Sequence, residues 1–273
     1  MSSFELTIKP RRGWQPVDLH ELVVYHELLA FLVWRDIKIR YRQTLLGGLW
    51  AILQPLIAML IFTVVFNRLA GVKSDGPPYP LFAFAGLAPW TFFSTAVSQS
   101  SNSLVTNQQL VSKVYFPRVF IPIGAVGALL MDLLFSMGLL FVLMAIYRWP
   151  ITASAALLPL FIFAAVLAAS GVGLTLSALN VSFRDVKYAV PFLIQMGIFV
   201  TPVIYPIHYI PQRWQVLMGL NPMTGVVLGF RYALLGANAS WGVMGMSLAV
   251  SVGVFIFGLL VFRRMERRFA DII

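Results

Sequence analysis

Six long apolar segments constrain the fold of this chain more than any other feature. A bilayer hydrocarbon core about 30 Å thick is crossed by roughly 20 mainly apolar residues in helical conformation. Because a segment in lipid must satisfy its own backbone hydrogen bonds, each is predicted to be a transmembrane helix. The predicted spans are Leu49–Phe66, Leu81–Val97, Val119–Tyr147, Leu157–Val181, Tyr188–Ile207 and Trp241–Phe262.

The balance of apolar and charged residues points the same way. Hydrophobic residues make up 59% of the chain and charged residues 11%, against about 25% charged in an ordinary soluble domain. We therefore expect an all-α integral membrane protein. The net charge of +10 would suggest nucleic acid in a soluble protein; here basic loops against anionic membrane lipids explain it, and no nucleic-acid partner is expected.

The basic residues fix the predicted orientation. With six spans, 15 of the 20 Lys and Arg residues fall on the side that holds both termini. The positive-inside rule makes that side the cytoplasm. The predicted organisation is a cytoplasmic segment 1–48, a six-span domain 49–262 and a cytoplasmic tail 263–273.

Two further segments are predicted to be helical without crossing the bilayer. Glu21–Leu46 is basic and carries large rings, which favours a helix lying along the inner membrane surface. Trp214–Leu235 is apolar but is interrupted by Gly, by Asn221-Pro222 and by Arg231, which favours a re-entrant pair of short helices on the outer face. The interfacial candidates in the first segment are Trp34, Arg35, Lys38, Arg40, Tyr41 and Arg42.

Several classes of chemistry have no basis in the sequence. The absence of cysteine excludes disulfides, Cys-ligated metals and a thiol nucleophile, and the three histidines lack metal-ligand spacing. No Gly-Lys dipeptide occurs, so there is no phosphate-binding loop of the Walker type. We predict a protein that is not an enzyme and holds no metal.

Asp132 is the one charged residue inside a predicted span. It could serve a proton relay or a polar point on a substrate path. It could also be paired to a neighbouring helix or held protonated, and this simpler interpretation is favoured because relays need further ionisable partners.

Two predicted inner loops have the character of docking elements. The first, Ser98–Arg118, ends in an aromatic-Pro-Arg turn; the second, Ser182–Lys187, is a six-residue turn that carries a ring between charges. Such a ring could fill a partner's pocket while the charges fix the register. A tight turn whose charges extend to the headgroups is equally compatible with the residues alone. The candidates are Lys113, Tyr115, Phe116, Arg118, Phe183, Arg184, Asp185 and Lys187.

Five segments together resemble a known family. They are WRDIKIRYRQTLLGGLWAILQPL (34–56), FAGLAPWTFFS (84–94), VSKVYFPRVFIP (111–122), SFRDVKYAVPFLIQMGIFVTPVIYP (182–206) and NPMTGVVLGFRYALLG (221–236). In this order they resemble the membrane subunits of ABC-2 type exporters, and more narrowly the permeases that export O-antigen, capsule and teichoic acid.

The resemblance implies a homodimer in the bacterial inner membrane, served by a dimeric ABC ATPase on a separate chain. ATP and Mg would be bound by that partner, and this chain would hold no cofactor. The family pattern implies an interface helix at about Glu21–Leu46 and outer gate helices at about Pro211–Gly236. The ATPase would couple through Lys113–Arg118 and Phe183–Lys187, and the cargo would be a lipid-linked glycan passing between the first and fifth spans of two copies.

Aromatic side chains are suited to that cargo, since sugar rings present C–H faces that stack on π-surfaces. Membrane-interface anchoring is the alternative role for each ring. The candidates are Trp90, Phe92, Phe93, Tyr205, Tyr209 and Trp214.

Two other functions remain compatible with the sequence. An ABC-2 exporter could carry a drug or a simple lipid, which the neighbouring genes would reveal. An ion-coupled secondary carrier could use Asp132, in which case Asp132→Asn would abolish transport; in an ABC exporter we expect that change to be nearly silent.

Overall fold

The computed structural model describes residues 25–42, 49–74, 76–113, 116–183, 185–266 and 269. Within these ranges every regular element is a helix. The α-helices are α1 (His26–Arg42), α2 (Leu49–Phe62), α3 (Tyr79–Thr106), α4 (Gln108–Lys113), α5 (Phe120–Ala128), α6 (Leu130–Ile146), α7 (Leu158–Ser182), α8 (Val186–Val200), α9 (Gln212–Met218), α10 (Pro222–Leu235) and α11 (Trp241–Glu266).

Five helical segments among the described residues are long and apolar enough to cross a membrane. They correspond to the first four predicted spans and the last one, so the chain is a multi-pass membrane protein. Short π-helical or 3₁₀ turns extend two of these segments beyond α2 and before α7. The segments are Leu49–Leu69, Tyr79–Thr106, Phe120–Ile146, Ala153–Ser182 and Trp241–Glu266.

The predicted fifth span differs from the structure. Tyr188–Ile207 was expected as one helix, but α8 has only 15 residues and ends at Val200. Pro202 and Pro206 follow, and proline cannot donate the backbone hydrogen bond that would continue the helix. The chain instead makes a buried turn at residues 201–204.

The second predicted span was too short. It was expected to end at Val97, whereas α3 continues to Thr106. The added turns are polar, but Ser100 Oγ donates to the Pro122 carbonyl at 3.1 Å, and Asn180 Nδ2 donates to the Ser101 carbonyl at 2.9 Å. These groups are therefore satisfied by neighbouring helices, and the first inner loop is shorter than predicted.

Helix α3 lies at the centre of the bundle, where it packs against α2, α5, α6, α7 and α10. The main apolar core surrounds it. A second apolar group, here called the basal cluster, joins the first turns of α1 to α4, α5 and the far ends of α7 and α11. Its buried members are Leu32, Leu104, Val111, Phe116, Val119, Phe120, Ile121, Leu174, Ala178, Val181, Phe262 and Phe269.

Helices α7 and α11 approach each other closely at two glycines. A Cβ atom on Gly258 would lie 2.1 Å from the Gly171 carbonyl oxygen, and one on Gly171 would lie 2.5 Å from that of Val254. Small residues at such crossings let backbones pack directly, which is how membrane helices gain contact without a hydrophobic driving force.

Helix α1 packs lengthwise against α5. Leu32 and Val33 lie over two glycines, Gly124 and Gly127, whose missing side chains make room for α1. The structure thus confirms a helix within the predicted segment, from His26 to Arg42. Residues 21–24 and 43–46 of that prediction lie outside the described residues.

Candidate transport pathway and coupling surfaces

Two short helices, α9 and α10, occupy the segment that was predicted to contain a helix pair. They have 7 and 14 residues, and α10 begins at Asn221-Pro222. The Asn221 side chain accepts from Met223 N at 3.0 Å and so caps the helix. Ser247 of α11 fastens the same end: its Oγ donates to the Asn221 carbonyl at 2.6 Å and accepts from Gly225 N at 2.8 Å.

In the turn that follows α8, every residue from 201 to 204 accepts a hydrogen bond from a side chain elsewhere in the chain. Asn221 Nδ2 donates to Thr201 Oγ1 at 2.8 Å, and Tyr79 Oη donates to the Ile204 carbonyl at 2.8 Å. The carbonyls of Pro202 and Val203 accept from Arg231. The turn is buried throughout, so side chains of α3 and α10 replace the helical partners that its backbone lacks.

Arg231 of α10 makes the most extensive of these contacts. It is only 2% exposed. Its Nη1 lies 2.6 Å from the Pro202 oxygen, its Nη2 2.5 Å from the Val203 oxygen and its Nε 3.2 Å from the Phe82 oxygen. The guanidinium carbon is 3.5 Å from the centre of the Phe82 ring. In the sequence, Arg231 was interpreted only as an interruption of an apolar segment; a cation in such a segment was the signal of a buried role.

Asp132 is paired rather than free. Arg40 Nη2 of α1 lies 2.5 Å from Asp132 Oδ2, and the Tyr41 hydroxyl donates to Oδ1. Burial, together with the hydrogen bond to Asp132, raises the pKa of Tyr41 above its usual 10 and keeps its hydroxyl a donor. Of the alternatives that the sequence left open, pairing to a neighbouring helix describes the structure.

A cavity of about 50 Å³ adjoins this ion pair and is lined by both polar and apolar residues, mainly of α1, α2, α3 and α6. Its size and its polar lining groups suit a few water molecules. Of the described residues that line it, Arg40 and Asp132 are the only ionisable ones. A proton relay would need a next member, which this lining does not supply. The polar lining side chains are Arg40, Gln54, Thr91, Thr95, Asp132 and Ser136.

The six aromatic candidates for a substrate path divide into three groups. Tyr209 and Trp214 are exposed, and Phe93 and Tyr205 are half-buried. Trp90 and Phe92 are buried in the main core, so neither ring is exposed in this conformation, and their role on a path stays a prediction. Trp90 is buried because Gly197 of α8 leaves room for its ring: a Cβ there would lie 2.8 Å from it.

Helix α8 exposes aromatic residues that the sequence analysis did not select. Tyr188, Phe192 and Phe199 are exposed, and in the whole helix only Val190 is buried. Helix α2 is also mostly exposed in the single chain, with Pro55 and Met59 its only buried residues. These two helices flank α3, against which both pack.

The first inner loop is anchored to the body of the protein. Phe116 is 6% exposed and belongs to the basal cluster, so its ring is covered by the chain's own residues, and its contact with a partner stays a prediction. Arg118 Nη1 donates to the Glu266 carbonyl at the end of α11 at 3.1 Å. Lys113 is exposed at the end of α4, and Tyr115 lies outside the described residues.

The second inner loop is a projecting tip between α7 and α8. Phe183 is 60% exposed, and Asp185 and Lys187 are exposed beside it. The Asp185 carbonyl accepts from Tyr188 N and Ala189 N, which starts α8 directly after the tip. Arg184 lies outside the described residues.

The six predicted interfacial residues of α1 fall into two groups, one on its exposed side and one in contact with α6. Trp34, Lys38 and Arg42 are exposed, and Arg35 pairs with Asp36 at 2.8 Å. Arg40 and Tyr41 instead hold Asp132. The far end of α1 is therefore tied to α6 while its outer side remains open.

Comparison with known proteins places the fold in a family. The model of the ABC-2 type transporter family matches residues 27–235, from α1 to the end of α10. The chain is 33% identical to the O-antigen export system permease protein RfbA of Myxococcus xanthus, over 78% of this chain and 82% of that protein. It is 27% identical to RfbA of Klebsiella pneumoniae over 90% of this chain and 95% of the relative.

A relative with another named cargo has the same extent of similarity. The polysialic acid transport protein KpsM of Escherichia coli is 29% identical over 85% of this chain and 91% of its own length. The similarity thus runs through the paired helices α9 and α10, the buried turn and both inner loops. The chain belongs to the ABC-2 type transporter family.

Proposed function

We propose that this chain is the membrane subunit of an ATP-driven exporter that moves a lipid-linked polysaccharide, such as O-antigen, across the bacterial inner membrane. The observation that carries the proposal is the 33% identity with an O-antigen export permease over 78% of the chain. A polysialic acid transport protein with similar coverage supports the same class of cargo.

The energy would come from a separate ABC ATPase dimer. The sequence has no Gly-Lys dipeptide and so no Walker phosphate loop. In this proposal the partner binds ATP and Mg and this chain holds no cofactor, acting as a passive conduit. The docking surface for the ATPase would be formed by the exposed Phe183, Asp185 and Lys187 together with the exposed Lys113 of the other inner loop.

The anchored residues of the first inner loop have a different role in this proposal. Phe116 connects the loop to the basal cluster, and Arg118 connects it to α11. Val111, on the same helix as Lys113, also belongs to the basal cluster. A force applied at Lys113 would therefore reach α5 and α11 through packed contacts.

A homodimer would supply the conduit. Helices α2 and α8 are apolar and largely bare in one chain, and both flank α3. A second copy facing them would enclose a path between the first and fifth spans. The rings of α8, together with Tyr209, Trp214 and the half-buried Phe93 and Tyr205, are then candidates for stacking on sugars.

The membrane arrangement that fits best has six crossings and both termini in the cytoplasm. Helix α8 rises about 22 Å at 1.5 Å per residue, and the buried turn would complete the fifth crossing. Helix α10 would be re-entrant: its start is bonded to Ser247, within α11, while the Leu235 carbonyl at its end accepts from Trp149 Nε1, just beyond α6.

The test is to purify the chain with the ATPase encoded beside it and to identify retained lipid by mass spectrometry. We expect a lipid-linked glycan that disappears when the host cannot begin glycan synthesis. Deleting the gene should leave that glycan at the inner face of the membrane. Retention of a drug or simple lipid, with unchanged glycan export in the deletion strain, would show that the cargo assignment is wrong.

A further inference from the structure

The buried turn at residues 201–204 is held in place by side chains from other parts of the chain. It lies between α8 and the outer helices, and it is held by one side chain of α3, Tyr79, and two of α10, Asn221 and Arg231. Backbone carbonyls at membrane depth need protein donors. Arg231 supplies the donors for two consecutive carbonyls, and no other side chain among the described residues donates a hydrogen bond to them.

The geometry requires the shape of arginine as well as its charge. The guanidinium is a planar fork with five N–H donors. One edge reaches the turn, Nε reaches the Phe82 carbonyl of α3, and the plane lies over the Phe82 ring. A lysine ammonium is a point charge on a flexible stem and cannot present this fork.

The surrounding backbone is shaped to admit this group. A Cβ on Gly86 of α3 would lie 2.7 Å from Arg231 Nη2 and 3.0 Å from the Val203 carbonyl oxygen. Any side chain at Gly86 would therefore press on both members of the same hydrogen bond. Two helices, α3 and α10, thus each provide a feature that serves the arginine–carbonyl contact.

We propose that Arg231 is the positioning residue of the outer gate, joining α10, the 201–204 turn and the first part of α3 into one unit. That this unit acts as a gate rests on the proposed export function. The physical content of the proposal is that one side chain sets where the turn sits, so that the turn and α10 move together or not at all. Loosening it would leave the rest of the bundle folded and the outer end of the resting conduit unsealed.

The experiment uses the full chain with its ATPase, reconstituted in lipid, and compares Arg231→Lys, Gly86→Ala and a control, Gly138→Ala. A Cβ at Gly138 meets nothing within 4 Å. The first readout is amide hydrogen exchange in residues 201–210, with residues 158–182 of α7 as the internal reference. The second is the leak of small ions through vesicles without ATP.

We expect Arg231→Lys to raise exchange in residues 201–210 by about tenfold and Gly86→Ala by about threefold, because local opening becomes easier while global opening does not. Ion leak should rise in the same order, and α7 and the Gly138→Ala variant should stay unchanged. If Arg231→Lys fails to assemble, Gly86→Ala carries the test, since it keeps the arginine and only displaces it.

Two outcomes would overturn the proposal. Unchanged exchange in residues 201–210 of the assembled variants would show that Arg231 does not position the turn. An equal rise in α7 would show a general stabilising role instead. Both readouts are independent of cargo. If the wild-type complex exports no glycan while the variants still show the expected rise in exchange, the proposed function is refuted and the role of Arg231 stands.

Discussion

Helices α2 and α3 follow each other in sequence and pack together, yet their surroundings are opposite. In its most apolar 18-residue stretch, the segment Leu49–Leu69 has a mean hydropathy of 2.3 and is 11% buried. The corresponding stretch of Tyr79–Thr106 has a mean hydropathy of 1.4 and is 72% buried. The less apolar helix is the interior one. In this protein, hydropathy reports which helices can enter lipid and not which lie inside the bundle.

The physical reason is that lipid tails are as apolar as leucine, so burying leucine against another helix gains little. Close packing and hydrogen bonds between helices decide the interior instead. Helix α3 contributes small and polar residues, as in the bond from Ser100 to the Pro122 carbonyl. Helix α2 instead exposes Leu60 and Ile61, which suit lipid or a second copy of the chain.

The largest expected effect comes from placing the same large side chain on a packed face and on an open face of one helix, α11. Gly258→Leu forces a side chain against the Gly171 carbonyl, 2.1 Å from the Cβ position, whereas a Cβ at Gly253 meets nothing within 4 Å. We expect Gly258→Leu to lose about 3 kcal/mol or more of stability through overpacking. The Gly253→Leu control should fold normally. Thermal unfolding of both purified variants in the same detergent gives their melting temperatures. Equal melting temperatures would contradict the packing described for α7 and α11.

The two inner loops allow a second comparison with one substitution. Phe116→Ala removes a buried ring from the basal cluster and should lower stability by about 3–5 kcal/mol. Phe183→Ala removes an exposed ring and should leave the melting temperature unchanged. Its effect should fall on transport, with export per ATP hydrolysed reduced about tenfold, as for loss of a docking residue at an interface.

The paired assay measures melting temperature, assembly with the ATPase and ATP-driven export for both variants. A normally assembled Phe183→Ala complex with full export would refute the docking role. Phe116→Ala protein as stable as wild type would refute the anchoring role.

The ion pair of Asp132 gives a smaller effect. Asp132→Asn keeps a hydrogen-bonding group for Tyr41 but removes the charge opposite Arg40, which should lower stability by about 1–3 kcal/mol. The expectation that Asp132→Asn leaves transport nearly unchanged stays a prediction; the structure adds a moderate loss of stability. Arg40→Gln should have a similar effect, and the double variant should be less destabilised than the sum of the two; additive losses in thermal unfolding would show that the pair does not interact.

The smallest expected effects come from swaps of similar volume. Leu60→Met on bare α2 should change stability by less than about 0.5 kcal/mol, while Leu87→Met in buried α3 should lose up to about 1.5 kcal/mol. Melting temperatures in lipid nanodiscs compare the two. A larger loss at Leu60 would indicate that α2 is covered by a second copy even in the purified protein.

The sequence was sufficient for the membrane class, for five of the long helices and for the pair of short helices α9 and α10, because bilayer thickness and glycine-proline interruptions act locally. It could also have shown the early end of α8, since Pro202 and Pro206 fall within the predicted span. The end of α3 could not be read so easily, because Ser100 is compatible with either a loop or a helix interior.

Long-range contacts explain most of the remaining differences. The partners of Asp132 lie 91 and 92 residues away on α1, and no local pattern indicates them. Phe116 and Phe183 each have an arginine within two positions along the chain, yet only Phe116 belongs to the basal cluster. Arg231 stood out as a charge in an apolar segment, but its carbonyl partners follow from the position of the turn after α8.

The most direct test of the account is transport by sealed vesicles that contain either this chain alone or the chain with its ABC ATPase. Each preparation receives lipid-linked glycan and either a proton gradient or ATP. We predict no translocation by the chain alone under either condition, and translocation only when the ATPase and ATP are both present. Glycan movement by the chain alone, driven by the proton gradient, would contradict the conclusion that it is a conduit powered by a partner.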